Sequence, residues 1–191
     1  MTRRTKEPTV SRRRSVRSRH MALSIRRATN ETDIEQVRDL CRQWLDWHWS
    51  HYPSDWPTEG NPMDPARFQE ILKDLPTLHA RPHGAIFLAS LNDKPVGCVM
   101  YNAQSDGLAE FNRMFVSEGG RGHGVGRLLL NRMFDQMIED GYQKVIFSSA
   151  TFLTHARTMY EAAGFRAVPH PDGFPSEWKP YVYFMERPLL G

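Results

Sequence analysis

The stretch that decides the fold spans residues 109–126 and reads Ala-Glu-Phe-Asn-Arg-Met-Phe-Val-Ser-Glu-Gly-Gly-Arg-Gly-His-Gly-Val-Gly. Its first half, ending at Val116, has the apolar and aromatic residues of a strand. Helical spacing of apolar residues begins at its other end, so the glycine-rich turn 121–126 joins a strand to a helix. Unpaired N–H groups at a helix N-terminus attract anions, and glycines let a phosphate approach the backbone closely. The turn is therefore either a phosphate site, with Arg121 or Arg127 adding charge, or a turn that only closes a loop.

Two other phosphate-binding motifs do not fit this turn. The dinucleotide fingerprint needs glycines at the first, third and sixth positions in the first βα unit, with an acidic residue about twenty positions on. Here the turn comes late in the chain, after a predicted antiparallel meander, and no Gly-Lys-Ser/Thr follows to make a P-loop. The sequence therefore favours neither a nicotinamide-dependent enzyme nor a P-loop NTPase.

Regular elements extend on both sides of this stretch. Apolar residues spaced three and four apart predict helices, and alternating or continuous apolar runs predict strands. Asn92 and Asp93 predict a hairpin turn, and Gly141 is a helix C-cap. The predicted strands cover 23–28, 85–91, 95–101, 107–116, 144–149, 165–168 and 181–186, and the predicted helices cover 34–45, 64–75, 125–138 and 154–163. This order predicts an α/β or α+β sandwich, with a mixed sheet and helices on its faces.

The 191 residues suffice for one ordinary domain. The distribution of charged residues distinguishes this domain from an N-terminal tail. Residues 1–20 hold eight Lys or Arg against one Glu and almost no apolar side chains, whereas residues 21–191 are net acidic. Such a tail is expected to be disordered, and three interpretations stay open. It could be an arm for nucleic acid or another anionic surface, an upstream extension that reflects the choice of start site when Met21 is the true start, or a remnant of the expression vector.

The two cysteines, Cys41 and Cys98, have no spacing for a disulfide framework or a metal site. We expect both to be small buried apolar residues in a cytoplasmic protein. His123 and His155 have no acidic or histidine companions at metal-binding spacing, so no metal is predicted. No apolar run approaches the ~18 residues of a membrane span.

Two motifs at the correct separation resemble the GNAT superfamily of acetyltransferases. Arg121-x-x-Gly124-x-Gly126 is similar to its Gln/Arg-x-x-Gly-x-Gly/Ala motif, and residues 156–165 resemble its Ala-x-x-x-Tyr-x-x-x-Gly-Phe. The resemblance covers about residues 23–189 and is strongest over 108–168. It implies the acyl-CoA N-acyltransferase fold, a central mixed but mostly antiparallel sheet flanked by helices. It also implies acetyl-CoA as cofactor, and dimers are common among such proteins.

The resemblance assigns a cofactor role to eleven residues. Those of the turn would hold the pyrophosphate, and three strand residues would offer backbone groups to the pantetheine arm. The expected cofactor-binding residues are Met114, Phe115, Val116, Arg121, Gly122, His123, Gly124, Val125, Gly126, Arg127 and Arg157. One departure concerns Leu153, because many members have an asparagine there that contacts the pantetheine. Thr151, Thr154 or a backbone group would have to replace that contact.

Two residues are the expected catalytic groups. By resemblance, Tyr160 protonates the leaving thiolate and Glu110 is the general base for the amine, directly or through water. Nearby apolar side chains could raise the pKa of Glu110, which suits a base that works near neutrality. The alternatives are a core tyrosine on an amphipathic helix and a surface glutamate on a solvated strand.

The acceptor is the part of the reaction that the sequence identifies least. Trp47, Trp49 and Tyr52 lie in an aromatic segment, and aromatic faces can hold a cationic or aromatic amine. We expect Trp47 or Trp49 at a pocket rim and Trp44 in the core, and we expect the loop 169–178 to close the other side. Three functions stay open: acetylation of a small-molecule amine, acetylation of a protein lysine or N-terminus, and a non-enzymatic module that binds acyl-CoA or, through its tail, nucleic acid.

Overall fold

Seven strands form one sheet in the part of the chain that the computed structural model describes, residues 22–61 and 63–190. The basic tail predicted for residues 1–20 lies outside this part. The sheet order is β1-β2-β3-β4-β5-β7-β6, with every neighbouring pair antiparallel except β4 and β5. The strands are β1 (Leu23–Arg27), β2 (Gly84–Leu91), β3 (Lys94–Ser105), β4 (Leu108–Val116), β5 (Lys144–Ala150), β6 (Arg166–Val168) and β7 (Val182–Pro188).

The helices cover both faces of this sheet. They are α1 (Glu31–Ser50), α2 (Pro65–Lys73), α3 (Leu75–Leu78), α4 (Val125–Glu139) and α5 (Thr154–Ala162). The predicted order of elements is confirmed, and the short helix α3 is added to it. The mixed α+β fold predicted from the sequence is therefore the observed one.

Local signals explain where several elements begin. The Asn30 side chain accepts a hydrogen bond from the Asp33 N–H, 2.9 Å away, and so caps α1. Asp64 caps α2 in the same way through the Arg67 N–H. Asn92 and Asp93 both have positive φ, 50° and 64°, as a tight hairpin between β2 and β3 requires.

Helix α1 extends further than its apolar spacing predicts. It runs through the aromatic segment to Ser50, because Trp49 packs against the core and its indole N–H donates to the Met63 carbonyl at 3.0 Å. The tertiary contact therefore holds the last turn helical, where the chain's own apolar pattern becomes ambiguous.

Two hydrophobic cores lie on opposite faces of the sheet. The larger one packs α4 and α5 against residues such as Tyr101, Phe111 and Phe147. The smaller one packs α1 and α2 against Leu88, Met100 and their neighbours. Cys41 and Cys98 are both free and buried in the smaller core, as the sequence predicts.

Membrane-spanning helices and metal-binding clusters are both absent from residues 22–61 and 63–190. None of the helices between residues 22 and 190 combines the length and apolar character that crossing a membrane requires. Within the same described ranges, no three His, Cys, Asp or Glu side chains are grouped so that they could hold a metal ion.

Candidate active site where β4 and β5 separate

The central feature of the site is a gap between two parallel strands. Strands β4 and β5 pair only at their beginnings, where Leu108 to Glu110 lie beside Lys144 to Ile146. Beyond Glu110, β4 continues to Val116 with β3 on its other side, so its β5-facing edge has no strand partner. A gap at the carboxyl ends of parallel strands is a common place for a ligand, because helix N-termini and free backbone groups meet there.

The glycine turn lies at the end of this gap and begins helix α4. Gly122 and Gly124 have φ of 76° and 72°, and a Cβ on either would meet no atom within 4 Å. No side chain caps α4, and the N–H groups of Gly124 to Arg127 have no acceptor among the described residues. Four uncapped N–H groups at a helix N-terminus, beside open space, fit a pyrophosphate.

The side chains around the turn differ in how far they face solvent. Arg121, His123 and Arg127 are exposed, so their charges are free to approach an anion. Val125 is buried, and Gly126 lies so close to the Met159 sulfur that an added Cβ would be 3.0 Å from it. The turn is thus held against the core on one side and open on the other.

The strand residues expected to contact pantetheine lie along the same gap. Val116 and Phe115 pair with Gly97 and Cys98 of β3, which uses one edge of β4. Met114 and Val116 pack towards α4 and α5, and Phe115 packs towards α1. The free backbone edge of these residues therefore faces the gap in which a pantetheine chain would lie.

Glu110 is the last residue of β4 that pairs with β5, so it lies at the point where the gap begins. Its partner across β3 is Asn102, which places its side chain on the face covered by α1 and α2. Gln104 donates a hydrogen bond to its carboxylate. Burial raises the pKa of Glu110, and the hydrogen bond from Gln104 and the charge of Arg113 oppose that rise. The Glu110 side chain is thus half-buried, and its pKa is shifted towards neutral pH.

Tyr160 lies in the larger core, on the opposite face from Glu110. Its ring centroid is 4.4 Å from that of Phe147 and 5.4 Å from that of Phe111. Burial raises the pKa of Tyr160 above its ordinary value, so the hydroxyl keeps its proton. The ring thus packs as a core residue while the hydroxyl has the protonation state of a proton donor.

Some of the side chains around α5 that are expected to contact the cofactor already have partners within the protein. Arg157 Nε donates to Glu161 at 3.0 Å, and the guanidinium lies 5.2 Å from the centre of the Tyr183 ring. The hydroxyl of Thr151 donates to the Pro180 carbonyl at 3.3 Å. Leu153 is the residue before α5 and provides no side-chain cap, and among the described residues the N–H groups of His155 and Ala156 have no acceptor.

The three aromatic residues expected to bind the acceptor occupy two different places. Trp47 stacks on His51 with ring centroids 4.4 Å apart, and its ring lies 6.0 Å from the Arg121 guanidinium, beside the glycine turn. Trp49 and Tyr52 lie together, and the Tyr52 hydroxyl donates to the Pro57 carbonyl at 2.6 Å. Trp47 is therefore next to the proposed cofactor turn, whereas the other two support the loop after α1.

The sequence interpretation missed part of an aromatic wall at the end of β5. Phe152 follows β5, and its ring centroid is 5.4 Å from that of Trp56. Trp56 in turn lies 4.7 Å from Tyr181, the residue before β7. The wall thus joins the loop after α1 to the loop before β7. The signal that could have found it is the cluster of aromatics near both loops, but no local pattern pairs them.

Arg113 and His79 were also missed as site residues. Arg113 has φ of 47° and lies at a β-bulge, where two β4 residues oppose Val99 of β3. Its Nη1 lies 3.4 Å from His79 Nε2. These two residues are far apart in the sequence, and no spacing rule connects them.

The fold, and the gap beside an uncapped helix N-terminus, fit a class of protein: transferases that use an acyl-CoA. Residues 41–165 match the model of the Acetyltransferase (GNAT) family, so the chain belongs to that family. It is therefore an acetyltransferase that takes its acetyl group from acetyl-CoA.

Relatives and solved structures agree with this assignment. The chain is 32% identical to the IAA acetyltransferase of Azospirillum brasilense over 126 residues, 65% of this chain and 80% of that protein. It is 27% identical to the N-acetylaspartate synthetase of Danio rerio over 54% of this chain, and it matches 37% of that protein's length.

Two solved structures show the same fold. A GNAT-family acetyltransferase from Staphylococcus aureus superposes with a TM-score of 0.70 at 19% identity, over 88% of this chain and 100% of that one. The PaiA N-acetyltransferase from Thermoplasma acidophilum, in complex with coenzyme A, superposes with a TM-score of 0.63 at 16% identity, over 88% and 99%.

Proposed function

We propose that the chain transfers acetyl from acetyl-CoA to the primary amine of a small molecule, with Glu110 as general base and Tyr160 as proton donor. The single observation that carries the proposal is the position of Glu110, at the start of the β4–β5 gap on the face opposite the α4 core. Bound acetyl-CoA would supply the acetyl group as a thioester. Every other requirement of the reaction falls to side chains and backbone groups of this chain.

The amine must be neutral to attack the thioester carbonyl, and Glu110 is placed to take its proton. Burial holds the pKa of this carboxyl above its ordinary value, which makes it a better base near neutrality. Free N–H groups on the β4 edge would polarise the carbonyl as negative charge develops on its oxygen. As the carbon–sulfur bond breaks, the thiolate takes a proton, for which the protonated Tyr160 hydroxyl is the candidate donor.

The aromatic wall supports a small acceptor rather than a protein. Contacts among Trp56, Phe152 and Tyr181 connect the loop after α1 with the loop before β7. A bridge of this kind closes one side of the acceptor region, whereas an extended peptide would need an open groove. The name of one relative, N-acetylaspartate synthetase, also denotes the acetylated form of a small amino acid.

A screen of amines for acetyl-CoA consumption tests the proposal. We expect release of free CoA thiol with one class of small amine, and little with peptides that end in a free amine or carry lysine. Robust turnover of peptides alone would refute the small-molecule assignment.

Glu110→Gln then tests the general base. A base is active when deprotonated, so the rate of the wild-type enzyme should fall as the pH drops through the raised pKa of Glu110. The rate of the glutamine variant should not fall in this way at low pH. Its turnover should be slower than that of the wild type by a factor of about 100 or more. A variant that keeps the wild-type pH profile would show that Glu110 is not the base.

A further inference from the structure

A half-buried guanidinium with no carboxylate at ion-pair distance lies near the proposed base. Arg113 Nε is shielded from solvent and has no hydrogen-bond partner, and among residues 22–61 and 63–190 no carboxylate oxygen lies within 4.0 Å of its nitrogens. Arginine stays protonated in proteins, and a desolvated charge without a partner is unfavourable. Such a group is suited to a ligand that brings the missing negative charge.

The β-bulge explains why the Arg113 side chain lies on the same face of the sheet as Glu110. In a regular strand, residues three apart point to opposite faces, so Arg113 would be directed away from Glu110. The extra residue at Arg113, with its φ of 47°, shifts the alternation, and the side chain reaches His79 on the α1 side of the sheet. An arginine whose backbone is in the left-handed region is strained, and backbone strain of this kind is concentrated at functional sites.

His79 holds the guanidinium in a defined orientation. Its Nδ1 lies 2.9 Å from the Tyr101 carbonyl oxygen, which can only accept, so Nδ1 carries the proton. Burial is the main reason that the pKa of His79 is lowered to about 4, so the ring is neutral at ordinary pH. Its Nε2 lone pair therefore faces Arg113 Nη1 at 3.4 Å. One nitrogen of the guanidinium is held in this way, while its Nε has no partner among the described residues.

The polar residues around Arg113 and Glu110 form a strip on this face of the sheet. The Asn112 amide donates to the Asn102 side chain at 2.9 Å, and Gln104 donates to Glu110. Glu110 and Arg113 are three positions apart, at most about 10 Å of strand. A ligand with an amine at the carboxylate and an anionic group at the guanidinium would thus be short.

We propose that Arg113 binds a carboxylate of the acceptor, and that the acceptor is a small amino carboxylate whose amine lies at Glu110. A guanidinium can bind a carboxylate with two parallel hydrogen bonds, and the pairing would neutralise the half-buried charge. This inference rests on the proposed function, since it names the substrate class of the same site.

The test compares each proteinogenic amino acid with its α-carboxamide as acceptor. Both members of a pair carry the amine, and only the first has the carboxylate. The wild-type enzyme should prefer the acid, and Arg113→Gln should lower kcat/KM for the acid roughly 10- to 100-fold relative to the amide. Arg113→Lys should restore part of the preference. Arg67→Gln, an exposed arginine on α2, should keep the wild-type ratio.

His79 acts through Arg113, so its replacement should move the same ratio. His79→Phe should reduce the preference for the acid while the KM for acetyl-CoA stays as in the wild type. A merely structural role would change both substrates of a pair equally.

A second measurement uses the wild-type enzyme alone and does not depend on whether a variant folds. The N-acetylated acid should inhibit as a product, and the N-acetylated amide should inhibit about tenfold less well. Equal use of acids and amides by the wild type, with amine acetylation intact, would overturn this inference and leave the proposed function standing. Failure to acetylate any amine while acetyl-CoA still binds would overturn both.

Discussion

Replacing His48 with phenylalanine should protect the protein against acid. His48 is 3% exposed, both of its ring nitrogens lack a hydrogen-bond partner, and the ring packs among Trp44, Trp49, Tyr52 and Phe152. Burial lowers its pKa from 6.5 to about 4. The unfolded chain therefore takes up a proton that the folded chain refuses. The folded state keeps its full stability above pH 6.5 and loses it as the pH falls towards 4.

The magnitude follows from the two pKa values. Between about pH 8 and about pH 5, a group with these values lowers the free energy of unfolding by about 2 kcal/mol. His79, whose pKa is also lowered to about 4, contributes a similar amount, so the two rings together remove about 4 kcal/mol. A phenylalanine at position 48 does not titrate. The variant should therefore lose about 2 kcal/mol less than the wild type over the same interval.

Urea unfolding followed by circular dichroism at the two pH values measures this difference directly. At the higher pH the variant should be as stable as the wild type or slightly more so, because a phenyl ring removes two unpartnered nitrogens. His83→Phe is the matched control, since that side chain is exposed and its variant should follow the wild type. If His48→Phe loses as much stability as the wild type on acidification, the burial argument for His48 is wrong.

Three further substitutions test the turn, the fold and the proposed acid. Gly124→Val should cost about 1 to 2 kcal/mol, because a β-branched residue is strained at φ 72°, and should raise the KM for acetyl-CoA at least tenfold in steady-state kinetics. Gly84→Ala should destabilise by roughly 2 to 4 kcal/mol in thermal unfolding, since its Cβ would lie 2.6 Å from the Tyr101 carbonyl oxygen; normal stability would contradict the packing. Tyr160→Phe should lower kcat by about tenfold or more with little change in stability, and full turnover would remove the proton-donor role.

Much of the fold could be predicted from local signals. Asn30, Asp64 and the Asn92-Asp93 turn mark element boundaries through backbone hydrogen bonds and dihedral preferences that each residue carries with it. The end of α1 could not be predicted in this way. Its last turn depends on the hydrogen bond from Trp49 to Met63, a partner fourteen residues away that no helical period indicates.

Local signals also identify some residues of the candidate site and leave the position of others undetermined. Gly122 and Gly124 were identifiable because a tight turn before a helix needs residues that accept positive φ. Trp47 or Trp49 is predicted at an acceptor rim, and the structure places Trp47 beside Arg121 of the glycine turn. The sequence could show that an aromatic residue is present there, but not which side of α1 would face which loop.

By itself, the sequence determined the strand, the glycine turn and the helix of residues 109–126, and with them it predicts an anion site suited to the donor. Each of these features depends on neighbours within a few positions, so the order of residues is enough. Only the tertiary structure brought Arg113 to His79, thirty-four residues away, and set both on the face of Glu110. That arrangement depends on a bulge in β4 and on the packing of α1 and α3 over the sheet, because long-range contacts decide which side chains lie side by side.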